Sequence, residues 1–269
     1  MASILITGTS KGIGFETALI LGRAGHSVHA AMRNPGRSPE LAQAVEKERL
    51  PIRISAMNVD SDASVRDTIA SIQSKYGLID VLVNNAGIER RGSVEELPIS
   101  EFRALMETNY FGALRCIQAV MPEMRKRRGG CIINVSSVGG RISSPPLTAY
   151  SASKWALEAL SEGLAQEAKI FNIRVAILEP GIINTEMAQR LATEPADSPY
   201  PQARRMAALF ATSLQTPTPP AVVGRKILEY IESGSWKLRH PVGPDAEGYI
   251  QHRASMTDEE WVRRGSAAE

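Results

Sequence analysis

The chain has 269 residues, 43% of them hydrophobic, and a formal net charge of +2, enough to bury a full core and too evenly charged to hold nucleic acid by field alone. Its one basic run, Arg125, Lys126, Arg127 and Arg128, closes a helical pattern ahead of Gly129 and Gly130; cations suit a helix C-terminus, and without interleaved aromatics the run predicts no nucleic-acid partner. No apolar run approaches the roughly 18 residues of a membrane span, and the opening MASILITG has no charged leader, so the expectation is a soluble, cytoplasmic protein.

Short β-branched runs alternate with longer helical periods from the first residues. SILIT (3–7) reads as a buried strand, 14–24 as a helix, SVHAAM (27–32) as a strand and 39–48 as a helix. IRISAMNV (52–59) and a helix over 62–76 make a third unit, and IDVLVNNAG (79–87) runs from a strand into a glycine turn. A long helix over 100–128, GCIINVSS (130–137), a helix over 148–170 and IRVAILEP (173–180) follow. Parallel strands with helical crossovers predict an α/β sheet covered on both faces, in one domain over 1–269. The proline-bearing stretch 182–219 reads as a loop-rich flap; a helix over 219–231 and a last strand SWKLRH (235–240) come next, then a polar, irregular tail ending in a short helical TDEEWVRR. Cys116 and Cys131 read as free buried thiols in a reducing compartment. His26, His29, His240 and His252 have no metal-ligand spacing with them, and no metal site is expected.

Between the first strand and first helix, Gly8, Gly12 and Gly14 in LITGTSKGIG allow a tight turn, with Ile13 among them, that brings backbone to a pyrophosphate at a helix N-terminus. The second strand ends in Met32, Arg33, Asn34, with no Asp or Glu between Glu16 and Glu40. An acid there would hold the ribose 2'-hydroxyl of NAD. Arg33 with Ser10 and Lys11 instead suits a 2'-phosphate, favouring NADP(H) over NAD(H), unless Arg33 is simply an exposed residue at a strand end. Tyr150 and Lys154, one turn apart near the start of the 148–170 helix, fit either a solvated face or an acid beside its tuning cation.

TGTSKGIG, NNAG, METNYFGAL, INVSS, YSASK and PGIINT, in that order, resemble the short-chain dehydrogenase/reductase family over roughly residues 3–185, with PVGPDA as a further echo. The resemblance implies a Rossmann-like domain with about seven parallel strands, a nicotinamide cofactor and redox chemistry between alcohol and carbonyl. It makes Tyr150 the proton donor and acceptor, drawn toward phenolate by Lys154 and oxidised nicotinamide, with Lys154 also binding the nicotinamide ribose. Ser137, rather than Ser136, would hold the substrate oxygen, and Asn109 a water linking Lys154 to solvent. Asn85, Ala86 and Gly87 would meet the cofactor. Asn58 stands before Val59 where the family has its adenine-contacting Asp. In EPGIINT, following Pro180, Gly181 would allow close approach while Ile182 and Thr185 bind the carboxamide or pyrophosphate.

The substrate pocket is expected between Ser137 and Tyr150, at Ile88, and along the flap from Met187 to about Leu214, with Ile142, Pro145, Leu147, Met206, Leu209 and Phe210 as apolar walls. These fit an apolar or aromatic ketone, aldehyde, steroid or retinoid-like alcohol. A carrier-bound 3-oxoacyl thioester is the rival, with Arg90, Arg91, Arg204 and Arg205 as a basic patch. A nucleotide-sensing protein without turnover is the rival from another class; its catalytic set would be broken, and this one stands. A homodimer or homotetramer paired through the Tyr150 helix and the 219–231 helix is expected.

Overall fold

The computed structural model describes residues 1–193 and 198–266; the parts of the expected flap and tail at 194–197 and 267–269 lie outside the described residues. The first half repeats strand and helix: β1 (Ser3–Thr7), α1 (Gly12–Arg23), β2 (Ser27–Met32), α2 (Pro39–Glu48), β3 (Ile52–Ala56), α3 (Asp62–Tyr76) and β4 (Val81–Asn84). Then come α4 (Ile99–Met106), α5 (Gly112–Arg127), β5 (Gly130–Val135), α6 (Thr148–Lys169) and β6 (Ile173–Pro180). The chain continues through α7 (Glu186–Leu191), α8 (Gln202–Ser213), α9 (Ala221–Ser233), β7 (Arg239–Val242), α10 (Ala246–Ala254) and α11 (Asp258–Ser266).

The strands form one parallel sheet in the order β3-β2-β1-β4-β5-β6-β7. Alternation along them sends Ile4, Ile6, Val81, Val83 and Ile133 to a core with Leu19, Val223 and Ile227. Leu5, Leu82 and Ile132 go to the opposite core, with Ile69, Ile117, Val120 and Leu164. Fully burying each such side chain contributes about 1.5–3 kcal/mol, so the two faces rather than the strand propensities hold the fold. Cys131 and Cys116 fall in opposite cores, and burial pushes both thiols up to about 12. No described helix is long and apolar enough to cross a membrane.

Three expectations shift. The long helix is broken by a π-helical turn, Glu107–Phe111, which side-chain periodicity does not distinguish from continuous α-helix; it carries Asn109 inward to 1% exposure. The last strand begins at Arg239, not Ser235. The Ser233 and Ser235 hydroxyls accept the N–H groups of Ser235 and Lys237 at 3.2 and 3.1 Å, holding that stretch out of the ladder. Pro241 is tolerated because β7 is an edge strand. Finally, the tail forms the helix expected at TDEEWVRR, as α11, and a second helix, α10, in the stretch expected to be irregular.

Candidate active site

The chain crosses the sheet in one direction from β1 to β3 and restarts beside β1 with β4, so a crevice opens at the C-terminal ends of β1 and β4. The Thr7 hydroxyl accepts the N–H groups of Asn85 and Ala86 at 3.1 and 3.0 Å, and the Asn85 amide donates back to the carbonyls of Thr7 and Gly8 at 2.9 and 3.0 Å. Asn85 therefore braces the glycine turn with its side chain. Gly8 has φ 72°, and a Cβ there would lie 2.7 Å from Ala86 Cα; only glycine combines that torsion with that approach.

The resulting groove, about 350 Å³, is lined by Gly8, Ser10, Lys11, Gly12, Ile13, Arg33, Asn58, Val59, Asn85, Ala86 and Gly87, as well as by Tyr150, Lys154 and Thr185. Gly14 lies beneath it, packed on the Gly8 carbonyl. Lys11 is the N-cap of α1, but its side chain makes no capping bond and the first turn holds no acid, so the first N–H groups of α1 remain open to an anion. Exposed Arg33 has no described partner. Lys11 pairs with Glu186, but both side chains are more than half exposed, 61% and 53%, and such a pair yields readily to a stronger anion. The Asn58 Oδ1 accepts the Asp60 N–H at 3.3 Å, leaving its amide NH2 as the donor toward the groove. A dinucleotide phosphate fits this donor set.

Tyr150 is half-buried at the junction of that groove and a second cavity of about 410 Å³. Burial pushes its hydroxyl up to about 12, against the Ser137 hydrogen bond, with Glu89 adding to the rise. Lys154 Nζ stands 5.8 Å from the ring centroid, and among the protein's own groups desolvation wins. Lys154 donates to the Val135 carbonyl at 2.9 Å; burial pushes it down to about 8, with Glu158 one turn on opposing the shift. Ser137 Oγ accepts the Gly139 N–H at 3.0 Å and, unlike Lys154, faces the second cavity.

Asn109 is placed by its side chain. Its Oδ1 accepts the Ile88 N–H at 2.8 Å, and its Nδ2 donates to the Ile88 carbonyl and Ser153 Oγ, both at 2.9 Å. The side chain is thus committed to tying the stretch after NNAG to α6. Gly181 and Ile182 both meet Asp245. The Ile182 N–H is taken by Asp245 Oδ2 at 2.8 Å, and a Cβ on Gly181 would fall 2.1 Å from Asp245 Oδ1. Gly181 makes room for that carboxylate, and Pro180, Gly181 and Ile182 line the second cavity instead of the groove.

The second cavity is apolar. Ile142, Leu147, Met187, Met206, Leu209 and Phe210 line it as expected, whereas Ile88 faces the groove and Pro145 a separate surface pocket. Tyr249, His252, Trp261 and Arg264 from the C-terminal helices also line it, and no motif pointed to them. Glu89, directly after NNAGI, is 7% exposed and receives two hydrogen bonds from Arg190, at 3.1 and 2.9 Å. Behind Tyr150, buried Glu158 and Glu179 share Arg239 at 3.0 and 3.7 Å. The four arginines of the expected basic patch do not line the cavity: Arg90 pairs with Glu101, Arg91 donates to the carbonyls of Leu191 and Thr193, and Arg205 donates to that of Gly265.

A family model described as short chain dehydrogenase matches residues 2–196. Oxidoreductase BOA17 of Botryotinia fuckeliana is 36% identical over 266 residues, 95% of each chain. A short-chain dehydrogenase structure from Streptomyces avermitilis superposes with TM-score 0.82 at 31% identity, covering 99% of this chain and 100% of that one. The structure titled ElxO with NADP bound gives TM-score 0.77 at 27% identity, covering 92% of this chain and 100% of that one. The chain belongs to the short-chain dehydrogenase/reductase family, and with it to the oxidoreductases that act between alcohol and carbonyl.

Proposed function

We propose that the protein is an NADP(H)-dependent reductase of apolar ketones or aldehydes, working reversibly. The observation that carries this reading is the position of Tyr150, the side chain at which a polar groove with an open helix N-terminus meets an apolar chamber. When bound, the nicotinamide supplies or takes the hydride. In reduction Tyr150 gives its proton to the carbonyl oxygen while the Ser137 hydroxyl orients that oxygen. Lys154 holds the nicotinamide ribose and, as a cation, stabilises the phenolate left behind. Asn109 acts as a positioning residue, through Ile88 and α6. Arg33, Ser10 and Lys11 take the 2'-phosphate, with the NADP-bound relative as support. Trp155, 51% exposed on α6, supports self-association through that helix.

The test is loss of reduced-nicotinamide absorbance with a panel of apolar ketones, aldehydes and acyl thioester mimics, each with NADPH and NADH, beside Tyr150→Phe. Turnover of apolar ketones with NADPH, abolished by the substitution, is the expected result. Preference for NADH would overturn the role given to Arg33, and exclusive use of the thioesters would overturn the substrate class.

A further inference from the structure

The chamber contains very few charged groups, and they do not cancel. Glu89 is neutralised by Arg190, whereas Arg264 on α11 lines the wall with no ion pair or hydrogen bond among the described residues. Its natural partner one turn earlier, Glu260, is committed elsewhere: Oε2 accepts the Thr257 N–H at 2.8 Å. Asp258 is paired with Arg253. His252 lines the same chamber, its ring centroid 6.5 Å from that of Trp261 on α11, and its Nε2 is buried without a partner among the described residues. A buried polar nitrogen left unpaired costs free energy, which a ligand atom would recover.

Two observations fix where this pair sits. Tyr150 lines both cavities, whereas His252, Trp261 and Arg264 line only the chamber and none of them faces the cofactor groove. Helix α11 is anchored there: Trp261 Nε1 donates to the Ser143 carbonyl at 3.3 Å, Arg205 donates to the Gly265 carbonyl at 2.6 Å, and the Arg253 guanidinium lies 5.4 Å from the Trp261 ring centroid.

Building on the reductase reading, we propose that the substrate is an apolar carbonyl compound bearing a carboxylate, with the carboxylate bound by Arg264 and His252 while the carbonyl reaches Tyr150. Arg264 supplies the unopposed positive charge and a forked donor, and His252 Nε2, in the tautomer that protonates it, supplies a second donor. The apolar walls between them set the spacing between the two functional groups.

The experiment compares matched pairs of aryl-alkyl keto acids and their methyl esters. Binding is measured by calorimetry on the full chain, with and without NADP⁺, and turnover by NADPH absorbance. The acid should bind about tenfold more tightly than its ester, a charge-assisted contact discounted for the exposure of Arg264. Arg264→Gln should remove that advantage, so that acid and ester bind alike, while Arg264→Lys keeps most of it. Equal binding of acid and ester, binding of neither, or an acid preference that survives Arg264→Gln would overturn the proposal. The underlying reading fails differently: a preference for the acid without hydride transfer to any ketone would sink the reductase assignment and leave the carboxylate site standing.

Discussion

The groove and the chamber share Tyr150 but are built in opposite ways. The groove is made of strand ends and tight turns: Gly8 against Ala86, Asn85 across Thr7 and Gly8, the bare first turn of α1. Its frame is main chain, held by hydrogen bonds between the ends of β1 and β4. The chamber is made of side chains on short helices, α7, α8, α10 and α11, brought together from positions more than 70 residues apart. Backbone geometry allows little variation in what it binds, whereas helix side chains can be exchanged without disturbing the sheet. The cofactor is therefore set by the fold's turns, and the substrate by whichever helices cover them.

If that division holds, changes at the junction should have the largest effect and leave both neighbours intact. Tyr150→Phe should lower turnover by about 10²–10⁴-fold, the range for losing a positioned acid, with NADPH binding measured by fluorescence unchanged. A change at the groove should alter cofactor choice alone. Arg33→Ala should raise the KM for NADPH about tenfold or more, as expected for a lost charge-assisted phosphate contact, and leave that for NADH unmoved. A matching loss with NADH would mean that Arg33 supports the turn rather than the phosphate.

The pH dependence sharpens the comparison from the groove side. Tyr150, pushed up to about 12, keeps its proton throughout the neutral range, so the titration seen in reduction should be that of Lys154. With Lys154 pushed down to about 8, reduction kcat/KM should fall above about pH 8 as the cation is lost. Glu158→Gln should move that limb to lower pH, because the carboxylate opposes the shift. The stability effect has the opposite sign. Between about 8 and the ordinary 10.5 the unfolded chain holds the lysine proton more firmly than the folded one, so folding stability should rise with pH across that window. Thermal melts of the wild type and Lys154→Met across it provide the check.

The same division explains what could be read from the sequence. The glycine turn, NNAG and the Tyr150–Lys154 pair are local words whose residues stay together in space, and the strands that carry them end within a residue or a few of where their apolar runs suggest. Asn109 was legible as a site residue, but the π-helical turn that carries it and its side-chain bonds to Ile88 and Ser153 were not, because both are invisible to periodicity. Glu158, Glu179 and Arg239 are ordinary surface letters until β7 folds against β6 and closes the ion cluster. Tyr249 and His252 lie on α10, whose few apolar residues leave almost no pattern, and Trp261 and Arg264 lie on a terminal helix that was legible as a helix but carried no sign that it turns back onto the chamber. The unread part is the part that recognises substrate.

The smallest effects should come from the chamber walls. Met206 and Phe210 both line the cavity on α8, and neither is among the fully buried core residues; each packs on whatever occupies the chamber more than on the core. Met206→Ala should therefore raise the KM for an apolar ketone only a few-fold, in line with roughly 1–3 kcal/mol per lost apolar contact at most. kcat should hold, because contacts present equally in ground and transition states do not change it. NADPH affinity and melting temperature should stay within error of the wild type. A large drop in melting temperature would show that α8 serves the core after all, and a loss of NADPH affinity would show that the two cavities are coupled through Tyr150 rather than merely adjoining there.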